Sequence, residues 1–201
     1  SSLVNMIPRF YDASAGEVLI GGRDVKSFEI PELRERIGIV PQKAVLFKGS
    51  IRDNMRWGKD DATDDEILAA AKTAQAADVI ESKGGLDFEI EQGGKNLSGG
   101  QRQRFTIARA LVRKPEILIL DDSASALDFA TDAALRRSIR EMDTNPTVFI
   151  VSQRTSSIQH ADKIIVLDDG KIAGIGKHDE LLNNCPVYSE IYNSQFKKEA
   201  V

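Results

Sequence analysis

Three runs of consecutive apolar residues mark the second half of the chain, and polar or turn-forming residues bound each of them. They occupy residues 117–120, 148–151 and 164–167. Because none shows the alternation of a half-exposed strand, the runs predict buried strands of a parallel sheet. A helical pattern over residues 131–142 separates the first two runs. This order of strand, helix and strand predicts an α/β fold.

The pattern of apolar and polar residues changes twice in the first half of the chain. Residues 16–39 contain short strand-like pieces separated by glycines and a proline, which predicts a small antiparallel element beside the main sheet. From about residue 50 to residue 83 helical patterns dominate, and Thr63 with Glu66 predicts a capping box at a helix start. Another helix is expected to begin near Ser98. We therefore predict one domain over residues 1–201, with a helical segment inserted between two parts of a sheet.

The composition narrows the possible functions. The chain has 201 residues and 41% hydrophobic content, enough for one substantial core. Its net charge of −4 provides no basic field that would recruit nucleic acid, and we expect no nucleic-acid partner. No apolar run approaches the roughly 20 residues needed to span a bilayer. The single cysteine, Cys185, is expected to pack in the interior.

The segment Leu97-Ser98-Gly99-Gly100-Gln101 carries the strongest functional signal. Ser98 and Gln101 have the spacing of a capping box, so a well-capped helix is one interpretation. Two glycines at a helix N-terminus also allow an anion such as phosphate to approach the backbone. Together with the helical pattern that follows, the segment resembles the signature loop and helix of ATP-binding-cassette (ABC) nucleotide-binding domains.

The resemblance implies a fold, two ligands and a role for the signature loop. It implies an α/β P-loop NTPase (RecA-like) core with a mainly parallel sheet, a small antiparallel β element and an ABC-type helical subdomain at roughly residues 50–98. The implied ligands are ATP and Mg²⁺. The residues expected to contact ATP from this loop are Ser98, Gly99, Gly100 and Gln101.

Two aspartates follow the first apolar run, at the carboxyl end of a strand where ligands of open α/β sheets bind. Asp121 and Asp122 could simply form a turn, but within the resemblance they align with the Walker B motif. Asp121 would hold Mg²⁺ through water, and Asp122 would replace the glutamate that polarises the attacking water. Gln42 resembles the Q-loop glutamine, which joins Mg²⁺ to the transmembrane-domain interface. Asp128 resembles the D-loop aspartate near the nucleotide.

Two positions depart from the family pattern, and both are expected to weaken hydrolysis. Asp122 is one methylene shorter than the usual glutamate, so its carboxylate is expected to fall short of the water. Gln153 occupies the place of the switch histidine, and glutamine does not relay a proton near neutral pH. Positioned acid–base groups contribute roughly 10²- to 10⁴-fold in rate. The resemblance therefore implies a site that retains ATP and hydrolyses it slowly.

The first residues resemble the tail of a Walker A motif. Ser1 and Ser2 would then contact the nucleotide, and Ser1 would also bind Mg²⁺. The glycine-rich cradle would lie upstream, so we expect a piece of a longer polypeptide that is inactive by itself. Tyr11 is expected to pack rather than to contact adenine. His160 and His178 are expected to be structural or exposed.

The preferred hypothesis is one half of a heterodimeric ABC exporter. Its signature loop would complete the ATP site of a second nucleotide-binding domain that has the usual glutamate and histidine. A transmembrane domain on the same polypeptide would hold it at the cytoplasmic face of the cell membrane. One alternative is a homodimeric exporter ATPase with Asp122 as the base. Another is a soluble ABC protein acting on chromosomes or ribosomes, disfavoured by the acidic composition, the lack of a coiled-coil insert and the exporter-like loop at residues 90–94.

Overall fold

Short helices and strands alternate along the chain, which the computed structural model describes over residues 1–123 and 125–196. The strands are β1 (Leu19–Ile20), β2 (Arg23–Asp24), β3 (Ile37–Val40), β4 (Gly49–Ser50), β5 (Glu89–Ile90), β6 (Ile117–Asp121), β7 (Thr147–Val151), β8 (Ile164–Asp168) and β9 (Lys171–Gly176). The helices are α1 (Ile30–Glu35), α2 (Ile51–Arg56), α3 (Asp64–Thr73), α4 (Ala77–Ser82), α5 (Gly99–Leu111), α6 (Phe129–Arg140), α7 (Thr155–Ile158), α8 (His178–Asn184) and α9 (Pro186–Phe196).

Strands β3, β6 and β7 form a parallel sheet with β6 in the middle. Leu118 of β6 lies opposite Gly38 on one side and Val148 on the other. The sheet confirms the parallel strands predicted at residues 117–120 and 148–151. It also brings the carboxyl ends of all three strands to one edge, where the candidate site lies.

Strand β3 corrects one prediction, because residues 16–39 do not all belong to a small antiparallel element. Only β1 and β2 form an antiparallel pair, whereas β3 joins the parallel sheet. Its consecutive apolar residues suit a buried strand. Gly38 also lets β3 lie close to α5, since a Cβ there would be 2.8 Å from the Ala110 carbonyl oxygen.

Two apolar clusters cover the faces of this sheet. The larger cluster joins α2–α6 to Leu118 and Leu120. The smaller one joins Ile117 and Ile119 to other residues, including Leu33 of α1. Successive side chains of a strand point to opposite faces. Strand β6 is therefore buried on both sides, which explains why its sequence shows no alternation.

Capping boxes fix the starts of α2, α3 and α5. Ser50 caps α2, Thr63 caps α3 and Ser98 caps α5, and each accepts a hydrogen bond from the backbone N–H three residues later. In each case the side chain at the later position accepts a bond from the N–H of the capping residue. The capping boxes predicted at Thr63 and Ser98 are confirmed. The assignment of residues 50–98 as an inserted subdomain stays a prediction.

Two parts of the chain are more exposed than predicted. Residues of β7 are exposed or only partly buried, and Phe149 is 38% exposed, because β7 is the edge of the described parallel sheet. The prediction that Tyr11 packs is wrong, since it is 67% exposed. It lies in a surface turn that an ion pair between Arg9 and Asp12 closes.

The chain divides into two compact units, Ser1–Val151 and Ser152–Val201. In the second unit, the prediction of a parallel strand at residues 164–167 is wrong, because β8 pairs antiparallel with β9. Asp169 and Gly170 have φ values of 45° and 75°. Two successive residues in this left-handed region form the tight turn of a hairpin. The turn returns the chain directly beside β8.

Helices α8 and α9 pack against this hairpin. Cys185 is 3% exposed and lies in the same apolar cluster as Val166 and Tyr188, which confirms its packing role. Nδ1 of His178 lies 2.8 Å from the Tyr188 hydroxyl oxygen, and His160 is exposed, as predicted for both histidines. Within the part of the chain that the structure describes, no helix has both the length and the apolarity needed to cross a bilayer.

Gly58 tests how tightly the helical segment packs on α5. A Cβ at this position would overlap the Arg109 carbonyl oxygen and lie 2.7 Å from a Val112 methyl carbon. We expect Gly58→Ala to lower the free energy of unfolding by about 1–3 kcal/mol, because packed backbone must move apart. Gly99→Ala is the matched control, since the nearest atom to its Cβ would be 3.9 Å away. Equal stability of the two variants in urea unfolding would contradict this packing.

Candidate functional site

Asp121 and Asp122 lie where the central strand of the sheet ends. Asp121 is the last residue of β6, and Asp122 follows with a left-handed φ of 48°. Its N–H donates to the Val151 carbonyl oxygen at 2.8 Å, and its own carbonyl oxygen accepts from the Ser125 hydroxyl at 2.9 Å. Aspartate tolerates the left-handed conformation better than most residues. The main chain of Asp122 is therefore held from both sides.

Two long-range hydrogen bonds bring further residues to Asp121 and Asp122. The Ser1 hydroxyl donates to Oδ1 of Asp121 at 2.9 Å. Nε2 of Gln42 donates to Oδ2 of Asp122 at 3.1 Å. Gln42 reaches this position because it follows β3 by two residues, at the same edge of the sheet. The structure thus brings together four residues predicted for the site, which we call the strand-end group.

The strand-end group fits a hard divalent cation. It supplies a hydroxyl, two carboxylates and an amide, which are oxygen ligands of the kind that Mg²⁺ prefers. Among residues 1–123 and 125–196, no cluster of three or more His, Cys, Asp or Glu side chains could enclose a metal by itself. Mg²⁺ characteristically uses one or two carboxylates together with water and phosphate oxygens. Ser2 is exposed beside the group.

The signature loop forms the N-terminus of α5. The Ser98 hydroxyl accepts from the Gln101 N–H at 3.2 Å, and the Gln101 side chain accepts from the Ser98 N–H at 3.0 Å. A Cβ at Gly99 would meet nothing closer than 3.9 Å, so this glycine faces open space. The first N–H groups of a helix have no partner within it and favour an anion. The loop therefore has the open backbone and the free helix N–H groups that an anion site requires.

The signature loop and the strand-end group are separate among the residues described. No described hydrogen bond joins Ser98, Gly99, Gly100 or Gln101 to any of the four strand-end residues. Gly100 instead approaches the loop that precedes α6, where a Cβ would lie 3.3 Å from the Ala126 carbonyl oxygen.

Asp128 caps α6 rather than joining the strand-end group. Its carboxylate accepts from the Thr131 N–H at 2.9 Å and from the Thr131 hydroxyl at 2.7 Å. These two hydrogen bonds, the backbone one first, lower the pKa of Asp128 below its ordinary value. The structure shows a capping role for this residue, and its predicted contact with nucleotide stays a prediction.

Gln153 belongs to the second unit of the chain, and its side chain is exposed. Its carbonyl oxygen accepts from Nε2 of Gln195 at 2.6 Å. Oε1 of Gln195 accepts from both the N–H and the hydroxyl of Thr155 at 3.0 Å. Gln195 thus fixes the segment that carries Gln153. Sequence reasoning missed Gln195, because no motif links it to a segment about forty positions earlier.

Sequence reasoning also missed an exposed apolar surface, part of which follows Gln42 along the chain. We call Val45, Phe47 and Trp57 the aromatic patch. Their exposed fractions are 42%, 38% and 65%, and the Phe47 and Trp57 rings lie 4.8 Å apart. Val45 follows Gln42 by three residues. The signal that could have found this patch is the pair of aromatic residues in polar surroundings, which is typical of a docking surface.

Comparisons with known proteins show which family the chain resembles. Residues 1–125 match the family described as ABC transporter. The uncharacterized ABC transporter ATP-binding protein Rv1273c of Mycobacterium tuberculosis is 44% identical over 197 residues, which are 97% of this chain and 34% of that protein. The uncharacterized protein YfiB of Bacillus subtilis, of the same description, is 44% identical over 99% of this chain and 35% of its own length.

Exporters occur among the similar proteins. A Staphylococcus aureus protein named for a proposed role as a multidrug export ATP-binding/permease protein is 41% identical over 97% of this chain and 34% of its own length. A solved structure described as a bacterial Atm1-family ABC exporter with ATP bound has a TM-score of 0.92 at 39% identity. It covers 96% of this chain and 34% of the matched chain. The chain thus spans about a third of the length of these relatives.

The Asp128 cap predicts a pH dependence of stability. Because its pKa is lowered in the folded state, the ionised cap stabilises α6 above the ordinary value of 3.8, and this stabilisation is lost as the pH falls through the folded pKa. Asp128→Asn keeps a capping oxygen that cannot titrate. We expect the melting temperature of the wild type to fall more steeply than that of the variant between about pH 5 and pH 3. Parallel acid dependence of the two proteins would contradict the capping role.

Proposed function

Because this chain belongs to the ABC transporter family, we propose that it binds and hydrolyses ATP at the cytoplasmic face of a membrane exporter. The strand-end group carries this proposal, since Ser1, Gln42, Asp121 and Asp122 meet at the sheet edge although up to 120 positions separate them. The exporter assignment is supported by the similarity to the S. aureus protein and to the solved exporter. We further propose that a transmembrane domain is part of the same polypeptide.

Each strand-end residue has a distinct role in this proposal. Ser1 and Asp121 hold Mg²⁺, which neutralises charge on the ATP phosphates when it is bound. Asp122 orients the attacking water and accepts its proton. Gln42 reports the state of the site to the transmembrane domain, because it contacts Asp122 and lies on the same segment as Val45 of the aromatic patch. Gln153 is proposed to donate a hydrogen bond to the terminal phosphate.

The hydrolytic half of this site is proposed to be weak. The main chain of Asp122 is held by Val151, so its short side chain cannot be extended by moving the backbone. One of its carboxylate oxygens already accepts from Gln42. Gln153 lacks a group that titrates near neutral pH. A carboxylate that misses the water by about an ångström can cost about 10²-fold in rate.

The signature loop is proposed to act on a different nucleotide. It is exposed at Ser98 and Gly99, and its helix N-terminus attracts phosphate. In this proposal a second nucleotide-binding domain docks head to tail, so the loop completes the ATP site of that partner. The partner has glutamate and histidine where this chain has Asp122 and Gln153, which makes the pair a heterodimer with one fast site.

The aromatic patch is proposed as the contact with the transmembrane domain. Val45, Phe47 and Trp57 form an exposed apolar surface in a chain with a net charge of −4. Such surfaces mark protein contacts when polar residues surround them. A short cytoplasmic helix of the transmembrane domain packs there, and the three-residue distance to Gln42 couples this contact to the nucleotide.

A homodimeric exporter remains the second candidate. The observation that favours it is the hydrogen bond between Gln42 and Asp122, which keeps a carboxylate in the strand-end group. In that case each of two identical chains supplies its signature loop to the ATP site of the other, and Asp122 is the base in both sites. The two candidates predict different effects on ATP turnover when the Asp122 carboxylate is removed.

Steady-state ATPase measurements on the complete transporter with its partner separate these candidates. For the heterodimer we expect Asp122→Asn to lower turnover by less than about twofold, because the partner site carries the flux. Gly99→Glu is expected to lower turnover at least about tenfold, since it puts a negative charge where the partner's phosphates bind. Gly99→Ala is the matched control and should retain activity, because its Cβ meets open space.

The opposite pattern identifies the alternative. Loss of nearly all turnover in Asp122→Asn would favour the homodimer. Full turnover in Gly99→Glu would contradict any role of the signature loop at a nucleotide, in either kind of dimer.

A further inference from the structure

Helix α7 receives its cap from a distant part of the chain. Its first residue is Thr155, and its N-cap position is occupied by Arg154, whose side chain has no atom that accepts a hydrogen bond. The first N–H groups of a helix have no partner within it. An oxygen from helix α9 supplies the partner here, because Oε1 of Gln195 accepts from the Thr155 N–H at 3.0 Å. Gln195 thus caps α7 from forty positions further along the chain.

The two main-chain partners of the Gln195 amide determine its orientation. Its oxygen accepts from the N–H and from the hydroxyl of Thr155, each at 3.0 Å. Its nitrogen donates to the Gln153 carbonyl oxygen at 2.6 Å. A main-chain N–H can only donate and a carbonyl oxygen can only accept, so the opposite orientation of the amide would lose both of these bonds. Gln195 therefore ties together the residues on either side of Arg154.

Helix α9 holds Gln195 in a fixed place. Tyr188, Tyr192 and Gln195 follow each other at spacings of four and three residues, so they lie along one face of the helix. Tyr188 is 2% exposed and packs in the apolar cluster that includes Val166 of β8. Its hydroxyl oxygen lies 2.8 Å from Nδ1 of His178, and the Tyr192 ring lies 5.2 Å from the His178 ring. The face that carries Gln195 is therefore anchored to α8 and to the β8–β9 hairpin.

The main chain at Gln153 is held, but its side chain is exposed. Among residues 1–123 and 125–196, no hydrogen bond uses the Gln153 side-chain amide. Ser152 shapes the same segment from the other side, because its hydroxyl oxygen accepts from the Arg154 N–H at 2.9 Å. The segment thus presents an unused amide from a fixed backbone.

We infer that Gln195 is a positioning residue for ATP, because it fixes the main chain from which the Gln153 amide reaches the terminal phosphate. This inference rests on the proposed function, which gives Gln153 that contact. A donor on a fixed main chain loses less conformational freedom on binding than a donor on a loose segment. A hydrogen bond to a charged group also contributes more than one between neutral groups. Since ADP lacks the terminal phosphate, the effect of Gln195 is confined to ATP.

The rate at which this chain releases nucleotide tests the inference. The complete transporter with its partner is loaded with a radioactive azido-ATP analogue that cannot be hydrolysed, chased with unlabelled ATP for increasing times and irradiated. The label on this chain is then measured. We expect Gln195→Leu to speed release about tenfold, because Gln153 loses its fixed main chain and most of its bond to the charged phosphate. Release of azido-ADP is expected to stay unchanged, and equal acceleration for both nucleotides would overturn the inference.

Asn193 provides the matched control. It is an exposed amide in the last turn of α9, and its Nδ2 donates to the Ser189 hydroxyl oxygen of the same helix at 3.3 Å. Asn193→Leu therefore removes an amide from α9 without touching the segment that carries Gln153. We expect this variant to release both nucleotides at the wild-type rate. Acceleration of ATP release equal to that in Gln195→Leu would overturn the inference.

A second variant keeps the test valid if Gln195→Leu does not fold. Gln195→Glu keeps an oxygen that accepts from Thr155, but its carboxylate cannot donate to the Gln153 carbonyl oxygen. Hydrogen exchange of the peptide that contains Thr155 is expected to match the wild type, because the cap on α7 remains. We expect this variant to release ATP faster and ADP at the wild-type rate. Wild-type release of ATP would overturn the inference.

Gln153→Ala distinguishes failure of the inference from failure of the proposed function. The proposed function predicts that this change alone speeds ATP release about tenfold. The inference adds that Gln195→Leu has no further effect in the double variant, because both changes remove the same contact. Wild-type release of ATP from Gln153→Ala would remove the proposed phosphate contact, and the inference with it. Faster release from Gln153→Ala together with wild-type release from Gln195→Leu would overturn the inference alone.

Discussion

The hydrogen bond from the Asp122 N–H to the Val151 carbonyl oxygen is the constraint on which the site depends. It continues the pairing of β6 with β7 by one residue and turns the chain through a left-handed conformation. The backbone position of Asp122 is consequently fixed, and its carboxylate lies within hydrogen-bonding distance of Gln42. In the proposed function the shorter side chain of aspartate therefore matters, because backbone movement cannot make up for a missing methylene.

Different elements of the fold define the two surfaces that we propose to be functional. The strand-end group is defined by the parallel sheet, whereas the signature loop is defined by the N-terminus of α5 and its capping box. Helix α5 also carries Arg109 beneath the aromatic patch. One rigid helix thus supports the loop proposed to serve the partner's ATP and the surface proposed to meet the transmembrane domain. We propose that this shared helix couples the two.

Local signals predicted a large part of the fold and of the site. The capping boxes at Thr63 and Ser98 and the buried strand β6 follow from spacing and periodicity within a few residues. Two features depend on long-range pairing, which periodicity does not encode: the place of β3 in the parallel sheet and the antiparallel partner of β8. Residue spacing alone did not predict that the strand-end residues form one site. The resemblance to a known family motif made that prediction possible.

The central claim is that this chain holds ATP at its own strand-end group while its signature loop supports hydrolysis at the partner. The most direct measurement identifies the nucleotide at each site of the complete transporter after many turnovers, by photolabelling with an azido-ATP analogue and peptide mapping. The account predicts triphosphate attached to peptides of this chain's strand-end site and diphosphate at the partner's site. Diphosphate in equal amounts at both sites would contradict it.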